Sequence, residues 1–161
     1  MLTFQEMLVR FVVALALGAI LGIERELVGK ESAGIRTEML VAAGSALFSM
    51  AALSLPYLVA TSPENLNNII AGGGFLGAIA GITSGIGFLG AGIIIKIDDH
   101  PHGVTTAALV WATAAIGVLA GIGLVSFAAA VAVLLAIILY VFRKIDIAAK
   151  RNTKETEKGN A

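Results

Sequence analysis

Three clusters of polar residues interrupt an otherwise apolar chain, and their types and spacing set what chemistry it could do. Glu24-Arg25-Glu26 follows the first apolar block. Arg36-Thr37-Glu38 opens the second. Lys96, Asp98, Asp99, His100 and His102 follow the third, with Thr105 and Thr106 opening the fourth. Glu24 and Arg36 are the main candidates, because each stands where a helix enters lipid. An ionisable group there costs several kcal/mol if pushed inward unpaired, on the order expected at membrane depth. Such residues either form a charge network that binds a cation or partner and gates a conformational change, or tie down helix ends at the headgroup level. The functional cluster read from these positions is Glu24, Arg25, Glu26, Arg36, Thr37, Thr105 and Thr106.

Metal binding is a weaker reading. Asp98 and Asp99 suit a hard cation such as Mg²⁺, while His100 and His102 suit zinc-like ions. A short polar loop is more often simply solvated. The chain has no cysteine, so thiolate chemistry, disulfides and Cys-bound zinc are excluded. No serine–histidine–acid arrangement stands out, and no pair of carboxylates falls at a helical spacing within an apolar block. An enzyme is not expected, nor is a cofactor.

The elements that position these residues are membrane helices. Of 161 residues 58% are hydrophobic and 14% charged, against about 25% charged in a soluble domain. Lys and Arg number 11, as do Asp and Glu, so the sum of charge is uninformative and its distribution along the chain carries the signal; no nucleic-acid partner is expected. Four apolar blocks run from about Phe4 to Ile23, Met39 to Ala60, Ile69 to Ile95 and Val104 to Phe142. The last has 39 uncharged residues and would make a helix about 58 Å long, about twice the roughly 30 Å hydrocarbon layer. The Gly121-Ile122-Gly123 segment divides it into spans of about Val104–Ala120 and Leu124–Phe142. The reading is an all-α bundle of about five transmembrane helices over residues 1–142. A basic juxtamembrane segment and disordered cytoplasmic tail follow over 143–161.

Charge asymmetry orients the five spans. Arg143, Lys144, Lys150, Arg151, Lys154 and Lys158 follow the last one, which places the C-terminus in the cytoplasm and the N-terminus outside. The expected outer loop, Thr61 to Asn68, has no Lys or Arg. Arg10 is the exception, explained by Glu6 one turn away or by a neighbouring helix. Nothing in Met1–Arg10 resembles a cleaved signal peptide.

The block Ile69–Ile95 has nine glycines in 27 residues. Gly73, Gly77, Gly81 and Gly85 recur every fourth residue, as do Ala14, Gly18 and Gly22 on the first span. Such steps let helix backbones approach closely, so these spans are expected to pack on close partners or on each other. Gly81→Leu is expected to disrupt that packing. The heptad from Gly72 to Ala78 is similar to that from Gly85 to Ala91. Thirteen residues rotate a helix by about 220° net. Either both faces are buried in protein, or the chain breaks between the copies, with Thr83, Ser84, Gly85 and Gly87 as the break. Both heptads match G-x-G-x-x-G, but a dinucleotide site needs a preceding strand, and these lie within the expected bilayer.

Gly22-Ile23-Glu24-Arg25-Glu26, Gly34-Ile35-Arg36-Thr37, Ser84-Gly85-Ile86-Gly87-Phe88-Leu89-Gly90-Ala91-Gly92, and Gly103-Val104-Thr105-Thr106-Ala107-Ala108 with Trp111 occur in that order. From about residue 10 to 125 the chain resembles the N-terminal transmembrane domain of the MgtC/SapB family. The resemblance implies a bacterial inner-membrane protein linked to growth at low magnesium and, in pathogens, to survival in host cells. It favours modulation of other membrane proteins over direct Mg²⁺ transport. The glycine grooves add other membrane proteins or a second copy, as a homo-oligomer, as partners, and the interrupted third span with the polar cluster keeps a cation transporter or small channel as the alternative. A divalent cation remains a candidate partner. Glycine stands at 77 and 81, where an arginine and a glutamine fit the family pattern. His102 stands where arginine is common. Many members carry an ACT-like domain, and this chain reads as a minimal member without it.

Overall fold

Small residues decide which helices touch. The computed structural model describes residues 2–27, 33–97 and 100–159, apart from the side chains of Glu24, Leu27 and 146–159. The order is α1 (Phe4–Leu27), α2 (Ile35–Val59), α3 (Pro63–Ala71), α4 (Gly74–Ile93), β1 (Ile95–Ile97), β2 (His100–His102), α5 (Val104–Ile122) and α6 (Val125–Gly159). Among the described residues, five segments are long and apolar enough to cross a membrane, with α3 and α4 together making the third. The chain is a multi-pass membrane helix bundle.

Helix α2 sits at the centre, between α1 and α5. A Cβ on Gly18 would stand 2.5 Å from the Glu38 carbonyl oxygen, and one on Gly22 would collide with Ile35. On the other side, a Cβ on Gly117 would collide with the Ala42 carbonyl, and one on Gly121 would lie 2.7 Å from that of Ala46. The contacts 42–117 and 46–121 advance together by one helical turn, so α2 and α5 run parallel. Helix α6 covers α1 and α5, and α4 lies against α5 and more loosely against α2. The largest core cluster gathers Leu17, Leu21, Ala42, Ala46, Met50 and Ile116 among others.

The turn at the end of α5 follows the expected division. Gly123 has φ +97°, a value glycine adopts at little cost. Its N–H donates to Ala120 O at 3.1 Å, and Leu124 N–H to Leu119 O at 2.9 Å, which makes a Schellman end. Arg10 Nη1 donates to the remaining Gly121 carbonyl at 2.8 Å. That explains an arginine within the first span. Its neighbour Glu6 is engaged elsewhere, accepting from the Thr3 N–H at 2.8 Å and the Thr3 hydroxyl at 2.9 Å. Arg10→Met is expected to cost about 1.5–3 kcal/mol, the value of a hydrogen bond to a charged group. The check is the midpoint of unfolding of the purified chain in mixed detergent micelles.

The third span differs from expectation in two places. Residues 61–68 were expected as a loop, but helix α3 begins at Pro63. The Ser62 side chain caps it, accepting from Asn65 N–H at 3.1 Å, and Pro63 suits the first helical position. The break falls between α3 and α4, at Gly73 with φ +72°, and not at Thr83–Gly87. Three glycines in a row at 72–74 each weaken a helix by about 1 kcal/mol. At the expected position the Thr83 hydroxyl donates to Ile79 O at 2.9 Å and the helix continues. Helix α6 also continues past Phe142, to Gly159.

Candidate functional site: a buried charge cluster and an open cleft

Close packing of α1 on α2 determines which charges are buried. Seven residues bring a helix back to nearly the same face, so Gly18 and Arg25 share the face of α1 that meets α2. Arg25 is only 4% exposed, and Glu38 is 0% exposed. Glu38 lies one turn before Ala42, and Thr113 one turn before Gly117, on the two helices that meet at those residues. The Thr113 hydroxyl and the Arg25 guanidinium accordingly lie close enough to act on the Glu38 carboxylate. Neither carboxylate oxygen makes a hydrogen bond of acceptable geometry among the described residues. Thr106, also buried, lies two turns before Thr113 on the same face of α5.

The sequence-derived polar cluster therefore divides. Arg25 and Thr106 point into the bundle, where Glu38 and Thr113 join them. Glu26, Arg36 and Thr105 are exposed, and Thr37 is half-buried. The Glu24 side chain lies outside the described residues. Sequence reasoning passed over Glu38 in favour of Arg36. A signal was available: Glu38, Ala42, Ser45, Ala46 and Ser49 form one face of α2, and a lone acid on a small-residue face belongs to a packed interface.

The third polar cluster forms a hairpin. Strands β1 and β2 pair antiparallel, with Ile95 opposite His102 and Ile97 opposite His100. Alternation sends His100 and His102 to one face, and both are exposed. Asp98 and Asp99 lie outside the described residues. No group of three His, Cys, Asp or Glu side chains placed to hold a metal occurs among the described residues.

The glycine stripe of α4 meets no other helix backbone. A Cβ at Gly73, Gly77, Gly81, Gly85, Gly87 or Gly92 would find no atom within 4 Å. Gly90, on the same helix, does pack closely: a Cβ there would lie 3.6 Å from the Ala107 side chain. Phe88 is 85% exposed, and Trp111 on α5 is also exposed. Steps of four drift by about 40° around a helix, so the stripe does not keep to one face. Gly81 and Gly85 line a cleft against α2, while Gly77 lies outside it. The cleft holds 780 Å³, with Arg36 and Thr37 at one end and Phe48 at the other. A second cavity of 710 Å³ continues past Phe48 and Ala78 toward Tyr57.

Known proteins share the sequence that makes this bundle. The chain is 41% identical over 110 residues to Protein MgtC of Salmonella typhimurium, covering 68% of this chain and 41% of that protein. Against Protein MgtC of Brucella abortus it is 40% identical over 117 residues, covering 72% and 42%. The chain thus spans about two-fifths of the length of these curated relatives. No solved structure matches it. The MgtC family model matches residues 11–147, a stretch that takes in the α1–α2–α5 interface, the buried charges and the uncovered α4, and the chain belongs to the MgtC family.

Proposed function

We propose that this protein is a non-catalytic component of the bacterial inner membrane that modulates other membrane proteins, in magnesium homeostasis or stress adaptation. The observation that carries this reading is the state of α4. The α3–α4 span has no residue buried in its most apolar window, whereas more than half of that window is buried in α5. Gly77, Ala80, Ser84, Gly87 and Ala91 follow one another at steps of three and four, and all are exposed. That spacing presents one face of small residues, the surface on which a second membrane helix packs closely. The partner is another membrane protein or a second copy of this chain.

A transporter is the other reading, and buried Glu38 is the observation that favours it. Arg25 counts against it, because a fixed guanidinium beside the carboxylate repels an entering cation. The test uses the purified chain in proteoliposomes, and cells carrying single-cysteine variants of this cysteine-free protein. Modulation is supported if liposomes show no Mg²⁺ flux and a cysteine at Ser84 crosslinks to a specific membrane protein. Mg²⁺ flux that Glu38→Gln abolishes would replace modulation with transport. Gly87→Leu is expected to keep the unfolding midpoint within about 0.5 kcal/mol of the unmodified chain, as surface substitutions do, and to lose complementation of a deletion strain at low magnesium.

The positive-inside rule supports a cytoplasmic C-terminus and an outer N-terminus. Thiol labelling of intact cells with an impermeant reagent is expected to modify a cysteine at Asn67 and to spare one at Asn152. The reverse pattern inverts the topology.

A further inference from the structure

We propose that the cleft between α2 and α4 binds one anionic phospholipid, with the phosphate at Arg36 and the acyl chains along the glycine-lined wall. The cleft opens toward the bilayer and is walled by Leu40 and Phe48 on α2 and by Ala78, Gly81 and Gly85 on α4. From Arg36 to Phe48, the two ends of this cleft on α2, the helix rises about 18 Å, a little over half of the roughly 30 Å hydrocarbon layer. The wider cleft therefore follows the path of one lipid molecule through a single leaflet, from headgroup at Arg36 to chain ends near Phe48.

Charge is distributed to suit that occupant. Among the described residues Arg36 makes no hydrogen bond or ion pair, and it stands exposed at the mouth. The start of α2 beside it has Gly34 at the N-cap position and no side-chain cap, so backbone N–H groups there add to the positive field. At the far end the charged groups are already engaged: Arg10 by the Gly121 carbonyl and Glu6 by Thr3. One end is cationic and open, and the rest is apolar. A transmembrane helix about 10 Å across needs far more room over this length than the 780 Å³ of the wider part; acyl chains are narrower. The small-residue face of Gly77, Ala80, Ser84, Gly87 and Ala91 points elsewhere, so the lipid leaves it free.

The experiment is native mass spectrometry of the purified full chain in mild detergent, titrated with phosphatidylglycerol or phosphatidylcholine. A single interfacial arginine gives about a fivefold preference for the anionic lipid. That preference is expected in the unmodified chain and is expected to vanish in Arg36→Gln. It should survive Arg36→Lys, and also Lys144→Gln, which removes a charge on α6 that does not line the cleft. Gly85→Phe, which fills the cleft, is expected to weaken both lipids. Equal affinities in the unmodified chain, or a preference that persists in Arg36→Gln, would overturn the proposal. So would displacement of phosphatidylglycerol by an equal concentration of free glycerol phosphate, which would mark an anion site instead. A dimer that Gly85→Phe dissociates would overturn it as well, by assigning the cleft to a second copy.

Discussion

Gly117→Leu is expected to unfold the bundle under conditions where Gly81→Leu does not. At 117 any Cβ collides with the Ala42 carbonyl, which belongs to the backbone of a central helix and cannot turn aside as a flexible side chain would. The two helices must separate, and the separation also loosens the Ala46–Gly121 contact one turn on. Inserting carbon into a packed interface costs about 1–3 kcal/mol per site, and more where backbone must move. Gly117→Ala is therefore expected at the upper end of that range, and Gly117→Leu beyond it. At 81 no atom lies within 4 Å of a Cβ, and the new side chain extends into the cleft. Any packing that Gly81→Leu disrupts is therefore packing on a partner and not packing within this bundle. Gly77→Ala, equally open, is expected to be neutral or to add up to about 1 kcal/mol through helix propensity. Unfolding by sodium dodecyl sulfate in mixed micelles, followed by circular dichroism, ranks these variants. Equal midpoints for Gly117→Ala and Gly77→Ala would refute the packing assignment.

That contrast shows what can be read from spacing alone. Every-fourth glycines on α1, α4 and α5 look alike in sequence. Only those on α1 and α5 meet α2, because a small-residue pattern says that a helix can be approached and not by what. Span number was legible for a different reason. Thirty-nine uncharged residues exceed any bilayer crossing, and glycines at 121 and 123 mark the turn. The break in the third span was misplaced because the repeat drew attention to Thr83–Gly87, whereas consecutive glycines at 72–74 carry the lower helix propensity. The hairpin at Ile95–His102 gave little signal, since two strands of three residues are too short for a pattern to show. Glu38 was missed because its burial depends on how α1 and α2 are turned toward each other. No local window contains that information.

The same interface makes the charge pair at its end the other point of large effect. Arg25→Leu is expected to destabilise the bundle by about 3–5 kcal/mol, the cost of leaving a buried charge without its counterpart. Glu38→Leu should also destabilise, since it removes an opposite charge from near the buried guanidinium. The double variant Arg25→Leu/Glu38→Leu is expected to recover most of the loss, because two apolar side chains of similar volume need no partner in a bundle that lipid surrounds. The quantity that decides is the coupling energy from the four-variant cycle, expected at about 0.5–3 kcal/mol for groups that interact. A coupling near zero would mean that Arg25 and Glu38 are held independently, with Arg25 satisfied by other groups. Glu38→Gln separates charge from shape. It keeps the volume and can accept from Thr113 while removing the charge opposite Arg25. If stability survives in Glu38→Gln and complementation at low magnesium does not, the carboxylate serves function. If stability falls as far as in Glu38→Leu, the buried carboxylate's charge is what holds α1 to α2 at this end of the bundle.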